Sequence, residues 1–285
     1  MPSSFTLKTI QIAVTLGQDN FSEGGNTKII EGLECEVAVQ KPGLPEKNSA
    51  SVKIWGLQYE DMAQLTMLSF RPLESQHNLI SIKAGEKGGA KVLVYAGEIT
   101  SAFADFNQVP DPCMQIEADS GSYPQQIAVP TDTVKGEAKA DRLFAMYSKA
   151  AGYTYKNEGV TSSVRNACYP GSPINKMTKL ARDVDCELII DDGQVTILPT
   201  GKARQGDAVL LTRDTGMIGY PTFSQDGISC RCIFNPDLRY GGLIKVESIV
   251  PRASGVWRIT KLTHKLSNAV GGSWESQMEA AYNEK

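Results

Sequence analysis

Six cysteines and two histidines carry most of the chemistry this chain has to offer, and their spacing decides its use. Cys35, Cys113, Cys168, Cys186, Cys230 and Cys232 are scattered along 285 residues, and the histidines are His77 and His264. The tightest pair stands in GISCRCIF, residues 227–234. A zinc site draws on local pairs such as C-x-x-C, which the sequence lacks, so its ligands would come from distant segments. Strict alternation in GISCRCIF puts Ile228, Cys230, Cys232 and Phe234 on one face of a strand. A free cysteine on such a face is a small hydrophobe. The pair reads as strand core, and no metal ligand set and no cofactor site are expected.

Nucleophilic catalysis needs Ser or Cys beside His and a carboxylate. His264 lies in ITKLTHKLSN with no G-x-S-x-G elbow before it, and His77 lies in the polar ESQHNLI. The carboxylate pairs are Glu60-Asp61, Asp183 with Asp185, and Asp191-Asp192. The first suits the positive end of a helix and the last a hairpin turn. Neither sets two carboxyls across a cleft as a glycosidase requires. GEKGGAK, residues 85–91, lacks Walker spacing and reads as a hairpin loop. No catalytic residue is assigned.

The elements that would position any site come from periodicity. Hydrophobic residues make up 41 % and charged residues 21 %, an ordinary globular balance, and the net charge of −3 gives no basic footprint for nucleic acid. No apolar run reaches the roughly 18 residues of a membrane helix, and the alternating first residues do not read as a secretory signal. Assembly in a reducing cytoplasm without membrane insertion is therefore expected.

Residues 1–123 are strand-rich. FTLKTIQIAVTL and GLECEVAVQKPG alternate, and further strand patterns follow up to CMQIEADS. QYEDMAQLTMLSF breaks the pattern with helical spacing at Tyr59, Met62, Leu65 or Thr66, and Ser69. Residues 124–203 change period. Leu143, Phe144, Tyr147, Ala150 and Ala151 share a helical face ending at Gly152. Ser172 and Pro173 open a second helix with Ile174, Met177, Leu180, Ala181 and Val184 as its stripe. CELIID and QVTILP form a hairpin through Asp192-Gly193. Residues 204–285 return to five strands, from MIGYPTFS to SWESQMEAAY. The expected fold is mainly β with an α+β insert: two small β-barrel domains, 1–123 and 204–285, flank a helix-plus-hairpin domain, 124–203. The two β segments share no obvious sequence repeat, although one architecture can serve both.

Several stretches together resemble the tail-hub proteins of contractile-tailed bacteriophages, a group related to the phage late control D proteins. They are SVKIWGLQYEDMAQLT (51–66), VYAGEITSAFADFNQVPDPCMQIEADSG (94–121), YPGSPINKMTKLARDVDCELIIDDGQVTILPTG (169–201), TGMIGYPTFSQDGISCRCIFNPDLRYGG (215–242) and GVWRITKLTHKLSNAVGGSW (255–274). The resemblance implies a structural baseplate hub and not an enzyme. It implies a homotrimer whose paired barrels make a pseudo-sixfold ring between a hexameric tail tube protein and a central spike protein, among other baseplate proteins. It also implies an axial channel through which DNA passes without specific binding, in a virion assembled in the host cytoplasm. An acidic chain suits such a channel, because like charge repels phosphates.

Within that reading, Tyr59, Met62, Gln64, Tyr240 and Trp257 are the candidate interface residues. The alternative is a tail-associated carbohydrate- or peptidoglycan-binding or hydrolytic module. That module would show at least two of Trp55, Trp257 and Trp274 exposed on one surface.

Overall fold

The computed structural model describes residues 6–17, 20–21, 24–66, 78–107, 111–127 and 129–282. His77 and Ser69 lie outside them. The chain divides into two compact units, one made of residues 1–119 with 206–285 and the other of 120–205.

The first unit begins with β1 (Lys8–Thr15), β2 (Thr27–Glu31), β3 (Cys35–Lys41) and β4 (Ser49–Trp55). Then come α1 (Tyr59–Thr66), β5 (Leu79–Glu86), β6 (Val92–Asp105) and β7 (Cys113–Asp119). Alternation dictates burial: Ile10, Ile12 and Val14 point inward from β1, Cys35, Val37 and Val39 from β3, and Val52 and Ile54 from β4. Helix α1 buries Met62 and Leu65 and carries Glu60 and Asp61 in its first turn, where the helix dipole favours acids. Tyr59 departs from the expected stripe and is 68 % exposed. It is the first residue of the helix, at the margin of an arc centred on Met62 and Leu65.

The second unit holds α2 (Ser122–Gln126), β8 (Asp132–Thr133), β9 (Glu137–Lys139), α3 (Ala140–Ala150), β10 (Thr154–Asn157), β11 (Ser163–Arg165), β12 (Cys168–Tyr169), α4 (Pro173–Asp183), β13 (Cys186–Asp191) and β14 (Gln194–Pro199). Ser172 caps α4 by accepting from the Asn175 amide, with Pro173 first in the helix. Asp192 and Gly193, at φ 49° and 77°, make the tight turn between β13 and β14. The stripe of α3 runs through Leu143, Phe144, Tyr147, Ser148 and Ala151, and Ala150 is exposed one step off it. Within this core the Lys176 ammonium is buried, held by the Asp132 carboxylate and the Pro130 carbonyl over the Tyr147 ring. Pairing is what makes a buried charge tolerable.

The chain returns to the first unit with β15 (Val209–Leu211), β16 (Met217–Ser224), β17 (Gly227–Ile233), β18 (Leu243–Val246), β19 (Gly255–Ser267) and β20 (Trp274–Tyr282). The short β15 was not expected from the pattern. Among the described residues, all thirteen strands of this unit form one sheet, ordered β16-β17-β20-β19-β3-β4-β7-β6-β5-β1-β2, with β18 on β19 and β15 on β18. The seam is β3 against the second half of β19, from Leu262 opposite Lys41 to Ser267 opposite Glu36.

One sheet serves two cores. Ile228, Cys230, Cys232, Trp257, Ile259, Leu262 and Met278 belong to the second. Leu266, four residues further along β19, enters the first, and Phe234 and Trp274 pack against it. Between them His264 is buried, with Nδ1 2.8 Å from the Ser276 hydroxyl and its ring edge-on to Phe234. Asn268 fastens the seam: its amide donates to the Leu33 carbonyl (2.7 Å), and its side-chain oxygen accepts from the Cys35 amide (2.7 Å).

The two sides of the seam repeat, which the sequence did not reveal. The order β3-β4-β7-β6-β5 on one side matches β16-β17-β20-β19-β18 on the other. Ile99 faces Ala118 and Ile259 faces Ala280. Thr100 and Thr260 are then the extra residues of matching bulges, because Ser101 faces Glu117 and Lys261 faces Glu279. Even the bulge bond recurs: the Thr100 hydroxyl donates to the Glu117 carbonyl at 3.1 Å, and the Thr260 hydroxyl to that of Glu279 at 3.2 Å. Beyond it, Ile80 faces Gly97 as Ile244 faces Trp257. In β19 the bulge reverses the alternation, so Ile259 and Leu262 both point into the core.

Candidate interaction surfaces

The chemistry that the cysteines offered is absent from the core they occupy. Cys230 and Cys232 are buried on one face of β17, and burial pushes both thiols up to about 12. They are protonated at neutral pH and are neither nucleophile nor metal ligand in that form. Among the described residues no cluster of His, Cys, Asp or Glu could hold a metal ion. No described helix is long and apolar enough to cross a membrane.

The five residues chosen from the sequence fall into three environments. Tyr59 stands out from α1 and stacks on Phe106 at the end of β6, ring centroids 6.2 Å apart and planes 18° from parallel. Gln64 is half-buried and donates to the Asn20 carbonyl at 2.9 Å. Tyr240 is half-buried with its ring over Gly43, where a Cβ would come within 2.2 Å of it. Met62 and Trp257 lie inside the two cores of the sheet. The Trp257 indole donates to the Ala253 carbonyl at 3.0 Å, and its ring meets Tyr282 edge-on at 5.5 Å.

Two further surfaces escaped the sequence reading. One is the outer strand β16, where Tyr220 and Phe223 are 65 % and 58 % exposed. Its pairing with β17 is interrupted between Ile218 and Thr222, around Gly219 at φ 71°. The sheet edge is thus bent and carries Pro221, both features that blunt an edge.

The other is the polar face of the sheet, opposite the cores. In the middle of the two central strands of each half, two successive cross-strand pairs on this face coincide in type at equivalent register. Ser51 faces Glu117 and Lys53 faces Gln115 across β4 and β7. Ser229 faces Glu279 and Arg231 faces Gln277 across β17 and β20. The Ser51 hydroxyl donates to the Glu117 carboxylate at 2.7 Å, and Arg231 lies 3.7 Å from Glu275. At the seam this face forms a groove of about 320 Å³, lined by Glu36, Ser51, Lys53, Lys265 and Ser273 among others. The signal was in the sequence as QIEA beside QMEA and SVK beside SCR. Only the strand register shows that these are equivalent.

Solved structures share the fold. The 43 kDa tail protein of prophage MuSo2 from Shewanella oneidensis matches with a TM-score of 0.65 at 10 % identity, over 96 % of this chain and 97 % of that one. A tail protein from Neisseria meningitidis MC58 matches with 0.63 at 11 % identity, over 96 % and 97 %. An Escherichia coli component of the type VI secretion system, itself similar to tail proteins gp27 and gp5 of bacteriophage T4, matches with 0.56 at 11 % identity, over 88 % and 74 %. No curated protein sequence matches. The family model described as baseplate hub gp41 matches residues 9–270, and the chain belongs to that family of phage tail proteins.

Proposed function

We propose that the chain is the structural hub of a contractile phage tail. Three copies form a ring that adapts the sixfold tail tube to the threefold central spike and surrounds a channel for DNA. One observation carries this reading: a single chain holds two register-matched sheet halves, down to the same threonine-sealed bulge. Three chains then present six similar units, which a sixfold tube can meet, while the differences between halves leave the threefold symmetry that a spike needs. The repeated halves form two barrel-like domains, between which the middle unit is inserted in sequence. Tyr59, Gln64 and Tyr240 serve as contacts to neighbouring subunits, supported from within by Met62 and Trp257. The protein resides in the virion baseplate after assembly in the host cytoplasm, with other baseplate proteins around it, and does no catalysis.

The carbohydrate-binding alternative finds less support. It asks for two exposed tryptophans on one surface, whereas Trp257 is buried and Trp55 and Trp274 are half-buried. Light scattering over a concentration series tests the hub. A mass of three chains, each of 30.9 kDa, is expected. A single-chain mass together with binding to peptidoglycan fragments overturns it.

A further inference from the structure

From the repeated polar face we infer that Ser51, Lys53, Gln115 and Glu117, with their counterparts Ser229, Arg231, Gln277 and Glu279, line the channel as stacked rings of alternating charge, shaped for the sliding passage of a nucleic-acid duplex. The inference rests on the ring reading and adds to it which face looks inward and what that face offers to phosphate.

A solvated strand position accepts almost any polar residue, and the two halves have indeed diverged at the margins of the same face. Asp105 stands where Lys265 does relative to the equivalent glutamines' strand, and Glu36 stands opposite Lys53 where Ile218 stands opposite Arg231. At the two central outward pairs of these strands all four residues agree in type, whereas the flanking pairs differ, Ser49–Asp119 against Gly227–Ala281 and Trp55–Cys113 against Ile233–Glu275. The buried positions between them do not: Val52 and Ile54 are replaced by Cys230 and Cys232, and Ile116 by Met278. Packing explains the buried set, which needs only apolar volume. It does not explain identity on the uncovered side.

A sheet continued around a ring has one face toward the axis and one away. Here one face is covered by both hydrophobic cores, and the uncovered polar face is the one that repeats. Three copies place six carboxylates, Glu117 and Glu279, at one level. They place six cations, Lys53 and Arg231, two residues further along the strands, which is about 7 Å. A duplex carries one charge per roughly 1.7 Å of axis, so it meets repelling and attracting rings in close alternation. Fixed counter-charges cancel the net field without leaving a cation cluster to grip phosphate. This differs from a uniformly acidic lumen, which the net charge of −3 had suggested.

The test uses the full chain and two forms of one DNA sequence, a short linear duplex and a covalently closed circle. The wild-type protein should retain neither at low salt. E117K/E279K turns the carboxylate ring into six further cations. It should retain the linear duplex at least about tenfold more than wild type, with a log–log salt slope steeper by up to about 5, at roughly 0.9 per phosphate neutralised. The closed circle has no end to thread and should stay free. E60K/E137K carries the same change in charge on exposed residues outside this sheet, in α1 and β9, and is expected to show no preference for linear DNA. E117Q/E279Q, which keeps the strand positions uncharged, should give a smaller gain of the same linear-only kind if the lysine variant fails to fold. Equal retention of circle and linear duplex by a three-chain assembly overturns the lining but not the ring. Tight binding by the wild type also overturns the lining. A single-chain mass by light scattering overturns the ring itself.

Discussion

The half of the sheet built from β3–β7 and the half built from β16–β20 have the same strand order and the same bulge, yet they fill them differently. The first half buries branched aliphatics, Val52, Ile54 and Ile116, and extends beyond β5 to β1 and β2. The second buries Cys230, Cys232 and Met278 and extends from β18 to a parallel β15. Its connection from β17 to β18 is a short loop, where the first half inserts α1 between β4 and β5. The interior thus keeps Ile99–Ala118 and Ile259–Ala280 beside the bulge but exchanges its other apolar residues, while register and the central polar quartet are common to both halves. The geometry common to the halves is strand order, register and bulge, and the additions that differ lie at the periphery of the sheet.

Three mutational comparisons would break or sharpen this equivalence. The largest effect is expected in the cores. Ile116→Ala and Met278→Ala occupy matching positions and should each cost about 2–5 kcal/mol. Hydrogen exchange should speed up in both halves for either variant, because the halves share a sheet. Exchange that rises only in the mutated half would show them to be independent. Next comes the seam: Asn268→Ala strips partners from the Cys35 amide and the Leu33 carbonyl, at a cost of about 1–3 kcal/mol in denaturant unfolding. A neutral result would mean that the β3–β19 ladder holds the halves without this clamp. The smallest effect tests the bulges. Thr100→Val and Thr260→Val each remove one hydroxyl bond and should cost about 0.5–1.5 kcal/mol. Equal losses support equivalence, and a loss confined to one half breaks it.

Much of the fold was legible because it is written locally. Alternation marked the strands, Ser172-Pro173 marked the start of α4, and Asp192-Gly193 marked its hairpin, since caps and turns demand particular backbone angles. Helix faces were legible to within one residue, with Tyr59 and Ala150 falling just outside the buried arcs. The repeat was hidden for a physical reason. Buried positions tolerate any apolar residue of suitable size, so Val52 and Cys230 do not look alike. Connections of unequal length also shift each pair of equivalent strands by a different amount along the chain. The seam was hidden because strand pairing is non-local and nothing in β3 names β19. Of the candidate contacts, the sequence could identify the residue types suited to an interface. It could not separate Tyr59, which stands in solvent, from Trp257, whose indole is spent on Ala253.

The bond between Cys35 and Asn268 spans 233 residues of sequence, and that separation sets a timetable for synthesis. At roughly 5–20 residues per second, β3 leaves the ribosome about 10–50 s before the strand that will cover it. For that interval a nascent chain displays an open strand with a hydrophobic face, the kind of edge on which neighbouring chains on one polysome can pair wrongly. Efficient production therefore calls for slow initiation or for a chaperone that shelters β3 until translation has passed residue 267.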